Sequence, residues 1–114
     1  MTNLELIKYA KKFKIPHFRG VFMRNELSLM TPRRNETGII NLDSSSGNGT
    51  HWVAYSKKNN RVLYSDSFGL RPPPEVVQYF KGHNLLYSND QIQEFDSSNC
   101  GKLCLLFLIK ESDA

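Results

Sequence analysis

The sequence has no long apolar run and no recognisable nucleic-acid-binding motif. Its most apolar stretch, Leu103–Ile109, is far shorter than the ~20 residues that a membrane-spanning helix needs. The N-terminal residues also lack the apolar segment of a signal peptide. We therefore expect a soluble, intracellular protein with no membrane partner.

Cysteine is scarce, with only Cys100 and Cys104 present. If their segment is helical, both lie on one face but cannot form an unstrained disulfide. The three histidines, His17, His51 and His83, are not spaced like zinc ligands. The sequence thus indicates neither a disulfide framework nor a metal site, and it requires no cofactor.

The composition is that of a folded domain. A hydrophobic fraction of 39% and an aromatic fraction of 11% suffice for a core and argue against disorder. There is no repeat or linker, so residues 1–114 are interpreted as a single domain. The net charge is +4, and its scattered basic side chains fit a solvated surface, with a polyanion or acidic partner as the alternative.

An amphipathic helix is predicted at the N-terminus. Thr2 and Glu5 match a capping box, and Leu4, Ile7 and Ala10 follow at helical spacing. Further helices are predicted from residue 72 to a stop at Gly82 and over residues 100–111, although the last run also fits a strand. Strands are predicted at residues 18–23, 38–42, 52–56, 61–66 and 85–87, with polar loops at 24–36, 43–50 and 88–99.

The middle of the chain predicts a β-hairpin that joins a histidine to a carboxylate. Trp52–Ser56 and Arg61–Asp66 are strand-like runs separated by Lys57–Asn60. If those four residues form the loop, His51 lies directly opposite Asp66. Opposed side chains have Cβ atoms about 5 Å apart, so the carboxylate can hold one imidazole nitrogen and leave the other as a base.

A thiol, an amide and a glycine complete a candidate catalytic set. Cys100 stands at the predicted start of a helix, where the helix dipole and a nearby imidazolium lower a thiol pKa. Gly101 leaves room beside the sulfur for a substrate carbonyl. Gln93 and the backbone N–H of Cys100 can donate to an oxyanion. Trp52, directly after His51, either walls the site or packs the core.

Each of these residues also has an ordinary structural explanation. A cysteine before an apolar helix is usually a small buried hydrophobe, and an aspartate between serines commonly forms a turn. Asp43 is a rival carboxylate for the histidine, and Cys104 lies within the apolar run. The coincidence of thiol, imidazole, carboxylate and amide favours a thiol hydrolase, without excluding these explanations.

At these residues the chain resembles the adenovirus-type cysteine endopeptidases, the adenain family, with Maverick/Polinton transposon and virophage proteases among its relatives. SUMO and ubiquitin-like-protein proteases are more distant relatives. The segments that carry the resemblance are Gly49–Tyr55, Leu63–Leu70 and Gln93–Leu108, together with Phe18–Met23 and Gly38–Leu42. The order histidine, acid, glutamine, cysteine matches, as does the seven-residue step from Gln93 to Cys100.

The resemblance implies a fold and an activity. The fold is α+β, papain-like or adenain-like, with a central mixed sheet flanked by helices and the nucleophile at the N-terminus of a buried helix. His51 is then the base, Asp66 the orienting acid, Cys100 the nucleophile and Gln93 the oxyanion donor, with Trp52 and Gly101 next to the substrate.

By the same resemblance the substrates are proteins, as in the maturation of viral or transposon structural proteins in the nucleus or virion. An activating peptide and DNA are the cofactors of some members, and the basic charge of this chain is compatible with DNA. The chain is shorter than the family's enzymes, which leaves open a minimal enzyme, a fragment or a domesticated remnant.

Two competing functions share these residues. A deconjugating isopeptidase for a ubiquitin-like protein uses the same chemistry, but that branch tends to place its glutamine six residues before the cysteine. A catalytically silent binding module would keep the fold without the activity. The seven-residue step and the presence of all four site residues favour the endopeptidase.

Overall fold

A computed structural model describes residues 1–42, 51–87 and 99–112. The predicted α+β class is confirmed by three helices and five strands in these ranges. The elements are α1 (Asn3–Lys12), β1 (Phe18–Met23), a 3₁₀ helix (Arg24–Leu29), β2 (Asn35–Asn41), β3 (Trp52–Lys58), β4 (Arg61–Ser65), α2 (Pro74–Tyr79), β5 (Asn84–Tyr87) and α3 (Cys100–Ser112).

The five strands form one mixed sheet in the order β1-β2-β3-β4-β5. The two outer pairs, β1 with β2 and β4 with β5, are parallel. The two inner pairs, β2 with β3 and β3 with β4, are antiparallel. Among the described helices, none has both the length and the apolar character needed to cross a bilayer.

Helices cover both faces of the sheet, and neighbouring strand residues point to opposite sides. Ile39 and Ala54 belong to a core under α1 and α3, whereas Ile40 and Val53 belong to a second core under α2 and the 3₁₀ helix. The first core contains Leu6, Ala10, Ile15, Ile39, Trp52, Ala54, Cys100, Cys104, Leu105 and Leu108. The second contains Leu27, Ile40, Val53, Tyr55, Val62, Tyr64, Val76, Tyr79 and Phe80.

Helix α1 begins with the predicted capping box. The Thr2 hydroxyl accepts from the backbone N–H of Glu5, and the Glu5 carboxylate accepts from the backbone N–H of Thr2, both at 3.1 Å. The buried face of the helix is made by Leu6 and Ala10. Leu4, predicted on that face, is 78% exposed, because two residues of α-helix place it about 200° around the axis from Leu6.

Two other predictions about local structure are wrong. Residues 24–36, predicted as a loop, contain the 3₁₀ helix and the start of β2, because the side chain of Leu27 inserts into the second core and Met30 packs against it. Helix α2 ends at Tyr79 rather than near Gly82. Val77 of this helix is 51% exposed, since one turn and a half of helix buries only one stripe of side chains.

A buried carboxylate ties the sheet to α2. Glu36 is 1% exposed and accepts from the hydroxyls of Tyr55 at 2.5 Å and Tyr79 at 3.0 Å. Arg19 pairs with the same carboxylate at 3.2 Å. Burial and the adjacent carboxylate raise the pKa of both tyrosines, so each hydroxyl remains a donor. The network fixes the position of the Tyr55 ring.

Gly38 lies directly beneath that ring, and Gly38→Ala is expected to destabilise the fold. A Cβ at this position would lie 2.7 Å from the Tyr55 ring, and the ring cannot retreat because its hydroxyl is bonded to Glu36. Overpacking of this kind costs about 1–3 kcal/mol, measurable by urea unfolding. In a Tyr55→Leu background the same substitution should cost much less; an equal cost in both backgrounds would contradict the steric explanation.

Candidate active site

The candidate site lies at one end of the sheet, where strand ends converge. Because β3 runs antiparallel to both β2 and β4, its first residue meets their last residues. His51 immediately precedes β3, and Asp66 immediately follows β4. Cys100 is the first residue of α3, which packs across β3. The topology therefore brings imidazole, carboxylate and thiol to one edge.

His51 and Asp66 are in direct contact. Nε2 of His51 lies 2.7 Å from Oδ1 of Asp66, and the backbone N–H of Phe68 donates to the same oxygen over 2.8 Å. The side chain of Asp66 is 1% exposed, whereas that of His51 is 18% exposed. A buried carboxylate thus holds one side of a ring that solvent still reaches.

The contact forms although the predicted hairpin register is wrong by two residues. Lys58 pairs with Arg61, so the turn is Asn59–Asn60, and Asp66 is not directly opposite His51. A shift of two residues keeps every side chain on its predicted face, whereas a shift of one reverses it. Diagonal neighbours remain within reach of a long side chain, which is why the contact survives.

Two features set the observed register. Asn59 has φ 54°, the left-handed conformation that two-residue hairpin turns require. Lys57 is only 4% exposed, and its ammonium donates to the backbone oxygens of Arg33, Arg34 and Asn59 at 2.7, 3.0 and 2.6 Å. Two consecutive lysines favour a loop by composition. The three carbonyl groups that accept from its ammonium explain why Lys57 lies in a buried strand instead.

Phe68 is a site residue that the sequence analysis missed. Its ring stacks on that of His51 with centroids 4.1 Å apart and planes 7° apart. The observed register, continued beyond β4, places Phe68 opposite His51, so the signal was present but depended on the correct turn. The stack covers one face of the imidazole and, with Asp66, restricts its rotation.

The thiol of Cys100 and the imidazole of His51 shift each other's pKa. Burial alone would raise the pKa of Cys100, but the polar interactions with His51 and the backbone N–H groups of Trp52 and Gly101 together lower it. Burial alone would lower the pKa of His51, but its interactions with Asp66 and Cys100 raise it to about 9. The arrangement thus favours a thiolate beside an imidazolium.

The ring orientation suits proton exchange with that sulfur. Nε2 of His51 is occupied by Asp66, whereas Nδ1 is buried and the ring also interacts with Cys100. Nδ1 is therefore the nitrogen left for the Cys100 thiol, which is 2% exposed as a residue. Such a ring can take a proton from a thiol and later return it to a leaving group.

Trp52 and Gly101 lie in the core beside the sulfur. Trp52 is 5% exposed, and a Cβ on Gly101 would lie 3.2 Å from its Cε3 atom and 3.3 Å from Leu6. The contacts given for both residues are packing contacts, and the absence of a side chain at residue 101 lets α3 approach the indole closely. Of the two interpretations of Trp52, packing in the core is the one that these contacts favour.

The remaining candidates separate into two groups. Gln93 and Asp43 lie outside the described residues. Cys104 lies in the first core at 4% exposure, and burial raises its pKa well above the ordinary thiol range, so its thiol stays protonated at neutral pH. Within the described ranges, no group of three or more histidine, cysteine or acidic side chains is arranged to hold a metal ion.

Two crystal structures of the ASFV pS273R protease, one of them of the selenomethionine protein, resemble this structure. Each matches with a TM-score of 0.67 at 18% sequence identity, over 99% and 98% of this chain. The chain has the fold of this protease. It spans a little over half of the pS273R chain, 58% and 57% in the two structures. No protein-family model and no curated protein matches the sequence.

Proposed function

We propose that this protein is a cysteine-type endopeptidase in which Cys100 is the nucleophile, His51 the proton carrier and Asp66 the residue that orients His51. The observation that supports this proposal most directly is the 2.7 Å contact between His51 and Asp66, next to the Cys100 thiol, whose pKa is lowered. The likeness of the fold to that of the ASFV pS273R protease supports this chemistry.

The thiolate of Cys100 attacks the carbonyl carbon of the scissile peptide bond, and the carbonyl electron pair moves onto oxygen to give an oxyanion. As the oxyanion collapses, the carbon–nitrogen bond breaks and the His51 imidazolium gives its proton to the departing amine. A thioester remains on Cys100. His51, now neutral, takes a proton from water, whose oxygen displaces the thiolate and releases the carboxylic acid.

Asp66 keeps the base usable through this cycle. A carboxylate bonded to Nε2 fixes the ring so that Nδ1 remains directed at the reacting atoms, and it stabilises the imidazolium that forms. The backbone N–H of Phe68 on the same oxygen and the Phe68 ring on the imidazole hold both groups in place. Their rigidity limits the reorganisation required at each proton transfer.

Gln93 and the backbone N–H of Cys100 are proposed as donors to the oxyanion. The seven-residue step between Gln93 and Cys100 is the spacing that favours an adenain-type enzyme. We expect Gln93→Ala to lower turnover about 10²–10³-fold, because one oxyanion donor stabilises the transition state by about 3 kcal/mol. Unfolding in urea should change little, and unaltered turnover would remove Gln93 from the mechanism.

The adenain-type proposal extends to substrates and setting. Protein substrates with glycine-containing cleavage motifs, in viral or transposon structural-protein maturation, are the proposed class. Activation by a peptide or by DNA belongs to the same proposal, as does a nuclear or virion location. The net charge of +4 agrees with DNA without selecting it over another acidic partner.

Substrate assays separate the endopeptidase from a deconjugating isopeptidase. We would incubate the protein with glycine-containing peptides and, separately, with precursors of ubiquitin-like proteins, and identify the products by mass spectrometry. Cleavage of the peptides alone is expected. Cleavage of the precursors alone would reassign the enzyme to deconjugation, with the same nucleophile and base.

A catalytically silent binding module is the second candidate, and the 2% exposure of Cys100 is the observation that favours it. A thiol-directed probe tests it without a known substrate. The endopeptidase requires Cys100 to react at neutral pH and the reaction to fall in His51→Ala. An inert Cys100 in a folded protein would favour the binding module.

A further inference from the structure

The side-chain oxygen of Asn3 joins three elements at the catalytic end of the sheet. Oδ1 of Asn3, in the first turn of α1, accepts from the indole Nε1 of Trp52 on β3 at 2.8 Å. It also accepts from the amide of Asn41 at the end of β2, at 3.2 Å. One acceptor atom thus fixes how α1 packs against β3, the strand that begins directly after the candidate base.

Trp52 connects this junction to the sulfur in two ways. Its ring lies beneath the first turn of α3, 3.2 Å from where a Gly101 Cβ would be. Its backbone N–H is one of the groups that lower the pKa of Cys100. Because Trp52 is 5% exposed, the position of its ring depends on its packing and on the one polar atom of the indole, which Asn3 binds.

Asn3 is itself held in place on both sides. The capping box of Thr2 and Glu5 fixes the start of α1, and Leu6, one turn further on, is fully buried in the first core. The amide nitrogen of Asn3 also approaches the sulfur of Met23 at 3.8 Å. The acceptor oxygen is therefore held at a fixed position. Asn3 loses little conformational freedom when it accepts the hydrogen bond from the indole.

We propose that Asn3 is a positioning residue for the nucleophile, acting through Trp52 on the thiolate of Cys100. Loss of the acceptor leaves a buried indole N–H without its partner, and a buried N–H without a partner destabilises the native position of the ring. The ring then tilts or shifts, and the backbone N–H of the same residue moves relative to the sulfur. The proposal rests on the proposed function only in taking Cys100 as the nucleophile.

The pH dependence of Cys100 alkylation measures this effect directly. Iodoacetamide labelling from pH 5 to pH 10 is followed by tryptic digestion, which cuts after Lys102 and separates Cys100 from Cys104. In Asn3→Ala the midpoint for Cys100 is expected to rise, with labelling at pH 6 about three- to tenfold slower, the size expected from losing one buried hydrogen bond. Loss of helix stability alone lowers the denaturation midpoint and speeds labelling of the buried thiol, which is the opposite change.

Trp52→Phe removes the same hydrogen bond from the other side and keeps most of the ring. It should shift the profile as Asn3→Ala does, because the ring again loses its attachment to α1. The double variant should shift it no further than either single variant, since all three lack the bond between residues 3 and 52. Asn3→Asp keeps an acceptor oxygen and is expected to restore most of the labelling at pH 6. If one of the alanine and phenylalanine variants does not fold, the other still decides.

The outcomes separate this inference from the proposed function. An unshifted profile in Asn3→Ala or Trp52→Phe, with a depressed midpoint in the unmodified protein, overturns the inference alone. Shifts that add in the double variant also overturn it, because they show that Asn3 acts on the thiol by another route. An ordinary thiol profile in the unmodified protein overturns both.

Discussion

Replacing Cys100 with alanine is expected to reduce peptide hydrolysis about 10⁴-fold or more, since Cys100 is the proposed nucleophile and loss of such a group removes almost the entire chemical contribution to rate. The cause is specific to this residue: Cys100 begins α3, interacts with His51 and has a lowered pKa. The measurement is turnover of whichever glycine-containing peptide or ubiquitin-like precursor the unmodified protein cleaves.

Cys104→Ala on the same helix is the matched control. Cys104 is buried in the first core and its pKa is raised, so its replacement should reduce stability by the modest amount expected of a small cavity and leave turnover within about twofold. Loss of activity in Cys104→Ala with retention in Cys100→Ala would exchange their roles and contradict the assignment.

Replacing Asp66 with alanine is expected to reduce turnover about 10²–10⁴-fold, because His51, the proposed base, loses both its orientation and the charge that stabilises its protonated form. The interaction with Asp66 is one cause of the raised pKa of His51. In the unmodified protein, activity should therefore decline above pH about 9, where the imidazolium loses its proton. In Asp66→Ala the pKa of His51 falls, and this upper limb moves to lower pH.

Asp66→Asn distinguishes orientation from charge. An asparagine oxygen can still accept from Nε2 of His51, so part of the activity should remain, while the upper limb still moves to lower pH because the negative charge is gone. Glu75→Ala is a control for removing a carboxylate at the surface, where its ion pair with Arg24 is partly exposed. An upper limb that stays in place in Asp66→Ala would show that His51 is not its titrating group.

Much of the fold follows from local patterns in the sequence. The capping box at Thr2, the apolar run after Cys100 and the two strand-like runs of the hairpin each carry their own signal, and the elements occur where these signals lie. The contact of His51 with Asp66 was predictable because an error of two residues preserves strand faces. A one-residue error would have separated them.

The features that escaped prediction depend on distant residues. The register of the hairpin depends on the buried ammonium of Lys57, which donates to the backbone oxygen of Arg33, 24 positions away in the sequence. The junction at Asn3 depends on Asn41 and Trp52, which are 38 and 49 positions away in the sequence. Nothing near Asn3 in the sequence indicates an indole partner. The stacking of Phe68 on His51 required the correct turn. Local spacing in the sequence identifies candidate site residues. The residues that hold them in position are brought there by the tertiary structure.

The same limit applies to the interpretation of Gly101. A glycine after a candidate nucleophile suggests space for a substrate, because sequence alone shows only the absence of a side chain. The structure shows Trp52 and Leu6 at the position that a side chain would occupy. Contact of Gly101 or Trp52 with a substrate therefore remains a prediction, and close packing of α3 is the role that the known contacts support.

In the proposed mechanism, His51 keeps Cys100 ionised. The most direct measurement is the rate of Cys100 alkylation against pH in the unmodified protein and in His51→Ala. A thiolate–imidazolium pair predicts a midpoint below that of an ordinary thiol and a rise well above it in His51→Ala, where burial raises the pKa unopposed by the imidazole. Two superimposable profiles, with an ordinary thiol midpoint, would contradict it.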